Sequence, residues 1–407
     1  MAVGGNAETI NVHVDHTATA GLIPLQLAVQ NPRPVFNDVK LSEFVGREWL
    51  FDQVDRFLAE QPCGFVVIQA EAGLGKTAMA ARLVQERGYL SHFTRLGGKS
   101  ATVALRNLAA QLITRFELQD LASEGVVPRW AHTTDGFAAL LNHAAEKVTV
   151  DGDRIVLVVD ELEEAKLAET GLPLGLPGLL PEGVFVIAAC RPGVTVPVES
   201  PNLWLSITPG QRENTIDVHR FLTKATQQEA IAAQLAKAGV SAEEFVATLT
   251  QRCGGVWVYL RYILDEIRLG YRDVTDLDAL PKDLVGYYTK ALRAGQDGHQ
   301  WEQIGLPVWA TLAAAQEPLT LDTLTRLADV SSSQAVRQLC ESRYRPFLTV
   351  TDTQPRRYAI YHASLREYLT GTLPTPATAR IRTMSTLSPT SSPRLSDTPT
   401  PASPTTT

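Results

Sequence analysis

The stretch VVIQAEAGLGKTAMAARL, Val66 to Leu83, sets two glycines, a lysine and a threonine between an apolar run and an amphipathic one. Gly73 and Gly75 allow a backbone that turns its N–H groups inward around an anion. A helix starting near Lys76 adds the positive end of its dipole. In a loop of this kind Lys76 reaches the β- and γ-phosphates of a nucleotide, and Thr77 ligates Mg²⁺. The common pattern G-x-x-x-x-G-K-[ST] opens on glycine, where this chain has Ala70. Ala70 falls at the end of the preceding strand and does not obstruct the anion-binding turn. The predicted contacts are Ala72, Gly73, Leu74, Gly75, Lys76, Thr77 and Ala78. The bland alternative is a tight strand-helix turn without a ligand, which the flanking apolar strand and amphipathic helix disfavour.

A second run, RIVLVVDELEEAK, carries Asp160 at the end of an apolar stretch. Ligands of open parallel sheets collect at that end of the strands. Asp160 and Thr77 are the predicted metal residues. Glu161, Glu163 and Glu164 follow, and a carboxylate there can orient and activate a water. Glu161 and Glu164 are the predicted catalytic carboxylates; a solvated helix start is the alternative for either glutamate. A third run, VFVIAACRPG, ends on Arg191, whose guanidinium is suited to a γ-phosphate. Its alternative is an ordinary surface arginine before a Pro-Gly turn.

These residues need a framework. FVVIQ (65–69), RIVLVVD (154–160) and GVFVIAAC (183–190) are short continuous apolar runs, as in strands covered on both faces. Amphipathic stretches alternate with them, so residues 36–207 are predicted to form a doubly wound α/β domain with a parallel sheet. Residues 1–35 read as an extension. TINVHVDH alternates like a strand, His13 and His16 are best read as solvated, and NPRP reads as a linker. Residues 208–292 carry helical spacing and glycine stops, predicting a helical domain. Residues 293–370 give three helices, a short hairpin and a last helix, the element order of a winged-helix domain. Residues 371–407 are Thr, Ser and Pro with few large apolar residues, and are expected to be disordered.

The chain of 407 residues carries a net charge of -7, which argues against a general nucleic-acid surface. No segment approaches the ~18 uninterrupted apolar residues of a membrane span. The N-terminal residues do not resemble a secretory signal. Cys63, Cys190, Cys253 and Cys340 are scattered, without metal-type spacing, and a reducing cytoplasm is the expected setting.

Taken in order, FVGRE (44–48), AEAGLGKT, VLVVDELEEA and AACRP resemble a STAND-class P-loop NTPase of the NACHT group, an AAA+-related signalling ATPase. Downstream, GGVWVYLRYILDEI, LPKDLVGYYTKAL and YHASLREYL are similar to helical-domain and winged-helix segments of that group, so the resemblance spans roughly 36–370. It implies that Val45, Gly46 and Arg47 pack near an adenine and that His362 reaches the β-phosphate of ADP. Glu161 stands where the group has a small residue and resembles the Asp-Glu pair of AAA+ ATPases instead. The implied function is a switch using ATP/ADP and Mg²⁺: closed with ADP, open and self-associating with ATP, with slow hydrolysis, in signalling or defence. A sensor or effector protein is the implied partner, although no internal repeat of the sensor type is found. Alternatives are a P-loop ATPase or kinase with turnover as its purpose, and a nucleotide-regulated DNA-binding scaffold.

Overall fold

A computed structural model describes residues 23–372, except 98, 123–124, 149–153, 166–171, 295 and 352–353. The strand-like TINVHVDH segment and nearly all of the Thr/Ser/Pro-rich tail lie outside these residues. Two compact units emerge: one holds residues 23–71 and 75–208, the other residues 72–74 and 209–372.

The first unit is built on a five-stranded sheet in the order β2-β3-β4-β1-β5. Its three central strands are β1 (Gly64–Ala70), β3 (Ile155–Asp160) and β4 (Val184–Cys190). All pair in parallel, and nearly every residue is buried. Such burial on both faces requires the continuous Val/Ile runs seen in the sequence. Helices α3 (Glu48–Glu60), α4 (Lys76–Arg87), α5 (Ala101–Arg115) and α6 (Thr134–Val148) complete the α/β fold. The chain leaves β1 toward β3 and β2 on one side, yet returns to β5 on the other. That reversal beside β1 opens a crevice at the strands' C-terminal ends.

Both edge strands escape the apolar-run criterion. β5 (Asn202–Ile207) alternates, with Trp204 exposed and Leu205 buried, because β1 is its only neighbour. β2 (Leu90–Phe93) is short and includes Ser91 and His92, yet all four residues are buried. An unpaired strand edge needs partners for its backbone groups. Side-chain amides supply them. The Phe93 N–H donates to Gln30 Oε1 at 3.1 Å, and Gln30 N–H donates to Asn107 Oδ1 at 2.8 Å. The Ser91 carbonyl accepts from Asn107 Nδ2 at 2.8 Å and Gln111 Nε2 at 2.9 Å.

This arrangement corrects the linker reading of NPRP. Leu25–Ala28 (α1) and Arg33–Asp38 (α2) are helical, and Pro34 stands in the first turn of α2, where its missing N–H leaves no bond unmade.

The second unit runs α7 (Arg212–Ala225), α8 (Glu229–Ala238), α9 (Ala242–Cys253), α10 (Trp257–Arg268) and α11 (Leu284–Ala291). A helix from Gly298 then passes through a π-helical turn, Trp301–Gly305, into Leu306–Ala314. Two helices, Leu321–Leu327 and Ser333–Glu341, and a last one, Ala363–Thr370, surround a three-stranded antiparallel sheet, with Arg357–Ile360 between Leu319–Thr320 and Leu348–Val350. One aromatic core joins these parts. Tyr262 of α10 packs on Phe347 at 4.8 Å between ring centroids, and Trp309 packs on Tyr344 at 4.4 Å. No helix among the described residues is long and apolar enough to cross a membrane.

Asn107 holds the β2 edge and the α1–α2 segment to α5 at once. Asn107→Ala leaves the Gln30 N–H without its acceptor and weakens the edge network, at a cost of roughly 2–3 kcal/mol. Urea unfolding should show a lower midpoint with an unchanged slope. A loss below about 0.5 kcal/mol would mean that the network adds little.

Candidate functional site

Three neighbouring strand ends assemble the site. In the sheet β4 lies between β3 and β1, and the register pairs Gln69 with Cys190 and Val159 with Ala188. Arg191 therefore follows β4 level with Ala70, where the loop begins, while Asp160 ends β3 on the other side. The sequence runs predicted each strand; the parallel order makes their ends converge.

The loop has the expected backbone. Gly73 and Gly75 sit at φ +84° and +87°, the left-handed region open to glycine without strain. Gly75 caps α4, so Lys76, Thr77 and Ala78 form its first turn. Lys76 is nearly buried, and its ammonium donates to the carbonyls of Ala70 at 2.6 Å and Glu71 at 3.3 Å. Burial lowers its pKa, while Glu163 and Asp160 act to raise it.

Asp160 is fully buried, and neither carboxylate oxygen completes a hydrogen bond. Thr77 stands close enough to favour its ionised form, but outside good bonding geometry. Desolvation dominates and pushes the carboxyl up to about 6. The backbone is better served: Thr94 Oγ1 donates to the Asp160 carbonyl at 2.8 Å. Glu161 takes a left-handed φ of +59°, and its carboxyl is pushed up to about 7, chiefly by burial and then by Asp160.

The three glutamates diverge from there. Glu163 Oε1 accepts from Arg191 Nε at 3.1 Å, with both side chains largely covered. Glu164 instead meets Lys99 at 2.8 Å in a more exposed pair. Lys76, Asp160, Glu163 and Arg191 thus share one electrostatic neighbourhood, whereas Glu164 is drawn to its rim. Glu163 was not among the predicted catalytic residues. The DELEE spacing contains it, but only the turn at Glu161 decides which carboxylate faces Arg191. Thr94 and Arg95 were missed as well. They follow β2, which pairs Phe93 with Asp160, and Arg95 favours the charged forms of both Asp160 and Glu161.

Arg47 adjoins the loop. Gly46 and Arg47 have φ of +84° and +71°, and Arg47 is buried. Its Nη2 lies 3.8 Å from where a Cβ on Gly75 would stand. Val45, just before, is half-buried.

Within the second unit, His362 is the N-cap of the last helix. Its Nδ1 accepts the Ser364 N–H at 3.1 Å and lies 2.7 Å from Ser364 Oγ. Ser364 Oγ in turn meets the Tyr288 hydroxyl at 2.8 Å.

The donor set fits a hard cation held jointly with phosphate. Mg²⁺ is commonly bound by one or two carboxylates, water and substrate phosphates rather than by a protein cage. Asp160 offers an unpartnered carboxylate for that purpose. Among the described residues no group of three or more His, Cys, Asp or Glu forms such a cage.

No protein-family model matches the chain, and no curated protein matches it. Among solved structures, the Thermotoga maritima RuvB Holliday junction branch migration motor is similar at TM-score 0.30 and 15% identity, covering 83% of this chain and 98% of that chain. A point variant of the same T. maritima RuvB gives TM-score 0.30 and 15% identity, with 77% of this chain and 92% of that chain covered. The α/β assignment stands on the sheet itself.

Proposed function

We propose that the chain is a nucleotide-dependent switch of the P-loop NTPase kind, binding ATP or ADP with Mg²⁺ at the C-terminal ends of β3, β4 and β1. Asp160 carries the reading. A fully buried carboxylate with no hydrogen bond is costly unless a cation completes it, and this one ends the strand two places from a glycine-rich, lysine-bearing loop.

Asp160 and Thr77 would hold Mg²⁺, which when bound supplies positive charge to the phosphate oxygens. Lys76 exchanges its two carbonyl partners for phosphate oxygens, gaining charge-assisted bonds. The N–H groups of Ala72 to Ala78 surround the same anion. Glu161, with a carboxyl that titrates near neutral pH, is suited to take a proton from an attacking water. The family resemblance adds Val45, Gly46 and Arg47 as adenine neighbours and makes hydrolysis slow.

The same resemblance supplies the switch. In this reading residues 293–370 are a winged helix whose His362 bonds the β-phosphate of ADP in a closed state. ATP favours an open, self-associating state that engages a sensor or effector protein in signalling or defence. The His362 cap supports the role chemically. A backbone N–H can only donate, so Nδ1 accepts, and in the neutral ring the proton resides on Nε2. An Nε2–H is a donor for a phosphate oxygen. Co-purified ADP with negligible steady-state turnover would support the switch; rapid turnover would support an ordinary ATPase.

Lys76→Ala should weaken both nucleotides by roughly a hundredfold or more in calorimetry, since it removes a nearly buried phosphate donor. Unchanged ATP affinity would remove the loop assignment. The Mg²⁺-dependent part of ATP affinity should rise with pH as Asp160, at about 6, loses its proton. Without metal the direction reverses for stability. A carboxyl raised on folding binds more protons folded than unfolded, so stability should fall as pH climbs from about 4 toward 7. Asp160→Asn should flatten the affinity trend and only reduce the stability trend, because Glu161, pushed up to about 7, contributes a loss in the same direction; a Mg²⁺ dependence unchanged in that variant would argue against Asp160 as a metal residue. His362→Ala should weaken ADP by roughly tenfold, leave ATP nearly unchanged and increase self-association on size exclusion. Equal losses for ADP and ATP, with no change in size, would reduce His362 to a helix cap.

A further inference from the structure

We infer that Glu163 sets the preference of this site between nucleoside diphosphates and triphosphates by competing with the γ-phosphate for Arg191. The inference rests on the nucleotide reading above and concerns a residue that reading does not use.

Glu163 lies in the short turn Leu162–Glu164, directly after the left-handed Glu161. Its Oε1 accepts from Arg191 Nε at 3.1 Å, and the two side chains are only 15% and 21% exposed. Its Oε2 is buried and completes no hydrogen bond. Arg191 stands one residue beyond the Gln69–Cys190 pair, beside the strand that feeds the loop. The carboxylate also acts on Lys76, where it is the foremost charge opposing the effect of burial. Glu163 is therefore a fixed anion set against the two cations that would receive the end of a phosphate chain.

That placement treats the two nucleotides unequally. A diphosphate engages the loop and Lys76 without carrying a further anionic group to Arg191. A triphosphate brings one, which must either draw the guanidinium away from Glu163 or share it with a carboxylate at close range. Like charges brought together in a covered site are strongly unfavourable. Glu163 thus favours the diphosphate, and losing Arg191 to a γ-phosphate leaves the Glu163 carboxylate without its partner. The neighbouring Glu164 cannot act in this way, because Lys99 holds it at 2.8 Å in a more exposed pair.

The test is calorimetry on the full chain with Mg²⁺, using ADP and a non-hydrolysable ATP analogue. The proteins are the wild type, Glu163→Gln, Arg191→Gln and the double variant. Glutamine keeps the size of the side chain and an acceptor for Arg191 but removes the charge. Glu163→Gln should raise affinity for the analogue about tenfold while leaving ADP within about twofold, and the gain should vanish in the double variant, as a coupled pair requires. A parallel change for both nucleotides, a fall in analogue affinity, or a gain that persists without Arg191 would overturn the inference. Failure of the wild type to bind either nucleotide would overturn the nucleotide reading itself, and the inference with it.

Discussion

A carboxylate buried without a hydrogen bond is the constraint around which the first unit is organised. Asp160 sits at the end of a strand with no exposed residue, where an isolated negative charge is expensive. Lys76, held by two loop carbonyls, and Arg95, just beyond β2, place compensating positive charge nearby. Neither bonds to Asp160 directly, and its carboxyl is accordingly pushed up to about 6. A site of this kind is less stable alone than it would be with apolar residues, and such stored instability is characteristic of places meant to receive a ligand.

The sheet makes that concentration of charge possible. Parallel pairing sends the ends of β3, β4 and β1 to one edge, while their apolar bodies bury both faces. The polar requirements of the β2 edge are met by Gln30, Asn107 and Gln111. Stability and chemistry are thus segregated. The strand bodies and the amide-lined edge hold the fold, and the strand ends tolerate unsatisfied charge.

The second unit follows a different plan. Its helices and small sheet close on one aromatic cluster, and two buried tyrosines in it have polar partners: Tyr287 donates to Glu266 at 2.9 Å, and Tyr288 meets Ser364 at 2.8 Å. Burial pushes the Tyr287 and Tyr288 phenols up, so they remain neutral donors. The Ser364–His362 contact extends that network to the helix cap. The Ser364 backbone N–H, which can only donate, fixes Nδ1 as the bare ring nitrogen, which is the property that a phosphate-reading role would need.

Much of the first unit was legible in its sequence because the relevant signals are local. Burial on both faces forces continuous apolar runs, so β1, β3 and β4 were visible; a glycine-rich turn before an amphipathic helix marked the loop, and a carboxylate ending an apolar run marked Asp160. The edges were not legible, because β2 and β5 have one neighbour each and carry mixed residues. Nor could spacing show that α1 and α2 would join the unit, since the Gln30–Asn107 bond spans 77 residues. Among the glutamates, the sequence reading singled out Glu161 and Glu164 and passed over Glu163. Only the left-handed turn at Glu161 and the adjacency of β3 and β4 placed Glu163 on Arg191 and left Glu164 to Lys99. The amino-acid sequence by itself determined the glycine-rich loop and the strand that ends in Asp160, because short-range backbone geometry and burial dictate both; the tertiary structure decided which charge meets which, because that depends on strand order and on turns whose partners are distant in the chain.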